Sequence, residues 1–125
     1  MDGINIFMPG QRWQYDTRDG EEQSTLTVLT IDELEDDAII HIRVDGLIIP
    51  GTRSLEHLPF SADALMASVT EFDKHLDQIP AFTEGYTAWK QAFDSGKGGY
   101  WKQPVKTVIA FIAARLQTQQ SQSGV

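Results

Sequence analysis

The side chains best suited to chemistry in this sequence are three histidines, His41, His57 and His75. A helical metal site sets two histidines about one turn apart. No two lie that close here. A site would need His57 and His75 to meet in space beside Glu71, and nothing in the spacing demands it. The expectation is His41 exposed on a strand, His75 on a helix surface and His57 bonding a turn, with no metal ligand and no catalytic residue assigned.

Nucleophile motifs are missing too. The chain has no cysteine and no Gly-x-Ser-x-Gly elbow. Among Ser54, Ser61 and Ser68, Ser61 directly follows Leu58-Pro59-Phe60 and reads as a helix cap. The acidic groups Glu21-Glu22, Asp32-Glu33 and Glu35-Asp36-Asp37 fall at predicted turns or strand ends. Water solvates them there, and nothing equips them as general acids. The run from Asp32 to Asp37 lacks the glycine and ligand spacing of a calcium loop. Gly96-Lys97-Gly98-Gly99 follows a helical pattern, whereas a phosphate loop follows a strand. No motif calls for a cofactor.

The remaining candidates are binding residues: Trp13, Tyr15, Arg18, His41 and Arg43, with His57 on the segment 49–60. Aromatics and arginines anchor interfaces and ligand pockets. Two readings stay open. Trp13 and Tyr15 fill the core, with Arg18 paired to Glu21 or Glu22, or they share an exposed face with His41 and Arg43.

The elements that must position these residues are legible in part. The 125 residues fit one domain, residues 1–116, followed by a flexible polar tail at 117–125. The net charge is −8. All of it lies before Ser61, where twelve acids face four arginines; the rest balances at six against six. An acidic chain is poorly suited to a phosphate backbone, so no nucleic-acid partner is expected. The longest apolar run, Val108 to Ala114, is far short of the ~20 residues that span a bilayer. The acidic start Met1-Asp2-Gly3 does not read as a signal peptide. Together with the lack of cysteine, this gives a cytoplasmic expectation.

The first half alternates like strands. Arg12–Thr17, Ser24–Glu33, Ala38–Val44 and a short Leu47–Ile49 form an antiparallel meander, with Asp45-Gly46 as a tight hairpin. A four-residue loop after Glu33 sets Ile31 opposite Ile40 and Leu29 opposite Ile42. The other face then carries Val28, Thr30, His41 and Arg43. The second half has helical spacing. Leu65, Val69, Phe72 and Leu76 form one stripe; Tyr86, Trp89 and Phe93 a second; Val105, Val108, Ile109, Ile112 and Leu116 a third. Tyr100–Gln103 is a candidate short strand. The architecture predicted is α+β, an N-terminal meander with three C-terminal helices packed on one face.

The run Gly10-Gln11-Arg12-Trp13-Gln14-Tyr15-Asp16-Thr17-Arg18-Asp19-Gly20-Glu21-Glu22-Gln23-Ser24, together with His57-Leu58-Pro59-Phe60-Ser61, resembles a family of small uncharacterised bacterial proteins of unknown function. The resemblance covers about Gly10 to Leu116. It implies a bacterial origin and transfers no catalytic residue.

Two functional readings follow. The first is a non-enzymatic accessory or immunity-like module that meets a basic protein partner through its acidic strand half. The second is a small-molecule-binding domain or minor enzyme with a pocket between sheet and helices around His57. Phe111, off the stripe of the last helix, also marks a candidate homodimer contact.

Overall fold

The computed structural model describes residues 6–123. Met1–Asn5, on which the signal-peptide reading rests, and Gly124–Val125 lie outside the described residues. The chain runs β1 (Gln11–Tyr15), β2 (Thr25–Glu33), β3 (Ala38–Ile49), β4 (Thr52–Ser61), α1 (Ala62–Ser68), β5 (Val69–His75), α2 (Thr83–Asp94) and α3 (Val105–Ser123). The strands form one antiparallel sheet in the order β4-β3-β2-β1-β5. This is the α+β arrangement of N-terminal strands and C-terminal helices that the patterning predicts.

One side of the sheet carries the core. Leu26, Val28, Ile40, Ile42, Val44, Leu58 and Phe60 pack against Leu65 of α1 and against Val105, Val108 and Ile109 of α3. Ile112 and Leu116 pack at its margin, so the predicted α3 stripe is the contact face. Ser61 caps α1 by accepting from Ala64 N at 3.1 Å. The buried Ser68 ties α1 to α3: its Oγ donates to Ala64 O and accepts from Val105 N at 3.0 Å. Neither serine is free to be a nucleophile. Among the described residues no helix is long and apolar enough to cross a membrane.

Several details differ from the sequence reading. First, the stripe Leu65-Val69-Phe72-Leu76 is not one helix. The chain leaves helical geometry at Val69 (φ −71°, ψ 146°) and becomes β5, paired with β1. The spacing fits a helix, but Val69, Thr70 and Phe72 favour strands, and β1 would otherwise present a bare edge. Second, Asp45-Gly46 is no hairpin. β3 continues through it, because Leu47 and Ile49 are buried in the core, and the turn falls at Pro50-Gly51. Gly46, at φ +79°, sits at a bulge where a Cβ would lie 3.0 Å from Ser24 Cα. Third, the segment read as a connection, residues 49–60, contains strand β4. Fourth, a bulge at Leu29 shifts the β2–β3 register: Ile31 faces Ile40 as predicted, but Val28 takes Leu29's place opposite Ile42.

The helices, predicted to pack on one face, divide between the two faces instead. α1 and α3 cover the core side, whereas α2 lies on the other, over His41. Trp101 makes a single parallel bridge beside Phe60, the remnant of the predicted short strand. Phe111 is half exposed, edge-on to the Trp101 ring.

Candidate functional site

The face under α2 is built by alternation. Ile40 and Ile42 point into the α1/α3 core, so His41 between them points the other way. Across the ladder His41 is opposite Thr30 on β2 and Pro59 on β4. Two residues on from Thr30 is Asp32; two residues before Pro59 is His57. Three neighbouring strands thus set Asp32, His41 and His57 in a row on one face. α2 lays Tyr86, Trp89 and Phe93 over that row. The His41 ring meets Tyr86 and Trp89 edge-on at 5.0 and 4.6 Å, and Trp89 stacks on Phe93 at 4.8 Å.

The row is one hydrogen-bonded chain. His41 Nε2 lies 2.9 Å from Asp32 Oδ2, and His41 Nδ1 lies 2.8 Å from His57 Nε2. The two rings are 15° from coplanar with centroids 5.0 Å apart, so they join edge to edge rather than stacking. The carboxylate fixes the protons. Asp32 accepts, so His41 donates through Nε2–H. His41 Nδ1 is then a lone pair, and His57 must donate its Nε2–H to it. The only nitrogen left over is His57 Nδ1, an acceptor. Tyr86 anchors the far end, its hydroxyl donating to both Asp32 oxygens at 3.0 Å.

Burial sets the charge state. His41 has no exposed surface. Desolvation lowers its pKa, with Asp32 opposing the shift. Burial, with neighbouring His41 as the smaller cause, pushes His57 down to about 4. Both imidazoles are therefore neutral near pH 7, and a single proton lies in the N–H···N bond between them. The Tyr86 hydroxyl is raised by burial and by its bond to Asp32.

His57 Nδ1 has no protein partner among the described residues. No fully buried side-chain nitrogen or oxygen there lacks one, so this atom reaches solvent. Its neighbour is Gly85, where an added Cβ would come within 3.1 Å of His57 Cβ and 3.8 Å of Nδ1. Gly85 lines an open cleft of about 900 Å³ with Glu56, Phe82, Glu84, Thr87 and Gln91. A glycine in the first turn of a helix costs about 1 kcal/mol against alanine; here it lets α2 close onto His57.

The other predicted residues are dispersed. Tyr15 is buried in the α1/α3 core, bonded to Ser24 at 2.7 Å, and burial raises its hydroxyl to about 12. Trp13 packs at the edge of that core between Phe7 and Phe72. Neither shares a face with His41. Arg18 grips Glu21 through two nitrogens. Glu21, expected to be solvated, is 2% exposed and also accepts from Ile48 N at 2.7 Å. Arg43 pairs with Asp45 at 3.0 Å. His75 lies on β5, at the opposite edge of the sheet from β4. Asp32, read as part of a solvated tip, is the acceptor of the histidine chain. Among the described residues no group of three or more His, Asp or Glu is placed to hold a metal ion.

Sequence reasoning named His41 and His57 but did not join them. The missing signal was strand β4: once residues 52–61 are a strand, Pro59 opposite His41 brings His57 alongside. Tyr86 and Trp89 were identified as a helix face, without their target. Comparison with protein-family models, with curated proteins and with solved structures gives no match.

Proposed function

We propose that the chain is a small-molecule-binding domain whose ligand lies in the cleft between β4 and the first turn of α2. The ligand donates a hydrogen bond to His57 Nδ1. The observation that carries this reading is the closed polar chain from Tyr86 through Asp32 and His41 to His57. Each polar atom along it is satisfied within the fold except one, and that one is open beside a cleft-lining glycine. A rigid row of this kind presets an acceptor of defined tautomer, the economical way to select a hydroxyl or amine donor. The cleft volume of about 900 Å³ lies within the range of ligand sites.

The test is an NMR titration with two matched sets of small fragments, one bearing N–H or O–H donors and one without. Donor fragments are expected to shift the His57 ring and the amides of Thr83 to Gly85. Shifts confined to other regions, or equal for both sets, would overturn the reading.

The alternative, a module for a basic protein partner, is favoured by the exposed Glu33, Glu35 and Asp36 around the β2–β3 turn. It loses Trp13 and Tyr15 as anchors, since both side chains belong to the core. A salt-dependent complex with a basic protein, weakened by neutralising those three acids, would favour it.

A further inference from the structure

Resting on the reading of the cleft beside His57 as the ligand site, we infer that His57 Nδ1 is a nucleophile that accepts the acyl group of an ester, with His41 and Asp32 as positioning residues that draw off its ring proton. The arrangement has the connectivity of a triad: a group to be activated, a base bonded to it at 2.8 Å, and a carboxylate orienting the base at 2.9 Å. Here the activated group is itself an imidazole. Its reacting lone pair is at Nδ1, beside Gly85 of the cleft wall, and its proton is at Nε2, on the His41 side.

The step balances. The Nδ1 lone pair forms a bond to the acyl carbon, and the ester C–O bond breaks with its electron pair leaving on the alkoxide. The acylated ring carries a positive charge until its Nε2 proton passes to His41 Nδ1. His41 is then an imidazolium held against the Asp32 carboxylate. Water attacks the acyl carbon, and the proton it releases passes through solvent to the alkoxide, giving the alcohol. The C–N pair returns to Nδ1, and His41 hands its proton back. The net change is hydrolysis of the ester to an acid and an alcohol.

The surroundings serve this step. The first main-chain bond of α2 runs from Tyr86 N to Phe82 O at 2.9 Å, and no side chain caps the helix. The amides of Thr83, Glu84 and Gly85 therefore remain as donors for a carbonyl oxygen on the cleft wall. Asp32 on β2 and Tyr86 and Lys90 on α2 face the pair, and Glu56 on β4 and Glu84 on α2 line the adjoining cleft. Asp32 favours a proton on His41 and Lys90 opposes it.

The experiment treats the full chain with p-nitrophenyl acetate, quenches rapidly in acid and maps the acetyl group by mass spectrometry. Acetyl is expected on His57. Asp32→Asn should slow its formation at least tenfold, while His75→Gln leaves it unchanged; circular dichroism confirms that both variants are folded. Because His57 is neutral down to about pH 4, acetylation should stay nearly flat from pH 8 to 5. Free N-acetylhistidine should fall about 30-fold over that range. Acetyl groups on lysines or His75 with none on His57 would overturn the inference. So would acetylation of His57 that ignores Asp32→Asn and follows the free imidazole curve. Donor fragments that bind without acetylation of His57 refute the inference alone; acetylation without fragment binding refutes only the binding reading.

Discussion

Acid should loosen this fold before its carboxylates begin to protonate, and His57 is the reason. Its pKa falls from 6.5 to about 4 in the folded chain. The unfolded chain therefore binds the proton more readily between those values, and stability rises with pH across that window. Full stability is present above 6.5 and is lost as pH falls toward 4. The fall from 6.5 to about 4 corresponds to about 3 kcal/mol. The ring is only partly buried, so solvent screening reduces this by roughly half, to between about 1 and 2 kcal/mol. About three-quarters of it is lost by pH 4.5. His41, also lowered, acts with the same sign. Glu21 is lowered too, but its contribution disappears only below its unfolded value of 4.5, so the window from 6.5 to 4.5 belongs to the histidines. The assay is urea unfolding at half-unit steps of pH, for the wild type and for His57→Gln, whose amide still donates to His41. The wild type should lose about 1 kcal/mol or more between pH 7 and 4.5, and the variant clearly less. A flat wild-type profile, or a variant that falls as steeply, would refute the reasoning.

Other perturbations probe the parts separately. Tyr86→Phe removes the donor that joins α2 to Asp32; because α2 buries no residue completely, the loss of about 1–2 kcal/mol should appear as faster amide exchange in α2, with the β2–β3 core unchanged. Glu21→Gln leaves Arg18 without its charged partner and weakens the bond from Ile48 N, so it should cost about 2–3 kcal/mol by urea unfolding. Gly46→Ala places a Cβ 3.0 Å from Ser24 Cα at φ +79° and should lower stability by about 1–3 kcal/mol.

How much was legible follows the range over which each signal acts. The α3 stripe was read correctly because a long run of apolar residues at helical spacing has one solution, and Ser61 because a cap acts within three residues. The α1–β5 boundary was not. A helix period and a strand-favouring composition coincide from Val69 to Phe72, and the decision lay with β1, more than fifty residues earlier. The Asp45-Gly46 pair is the best local hairpin signal in the chain, yet burial of Leu47 and Ile49 outweighs it and turns it into a bulge. The histidine chain was illegible for the same reason. His41 and His57 meet only through a β3–β4 register that itself contains a bulge, and Asp32 joins them only after the bulge at Leu29 has reset which β2 residues share their face.

Long-range proton–nitrogen NMR correlations at pH 7 report directly the protonation pattern of the two rings. They should show His41 and His57 both neutral, each carrying its proton on Nε2, with His57 Nδ1 resonating as an unprotonated nitrogen. A His57 proton on Nδ1, or a charged imidazole at either position, would contradict it.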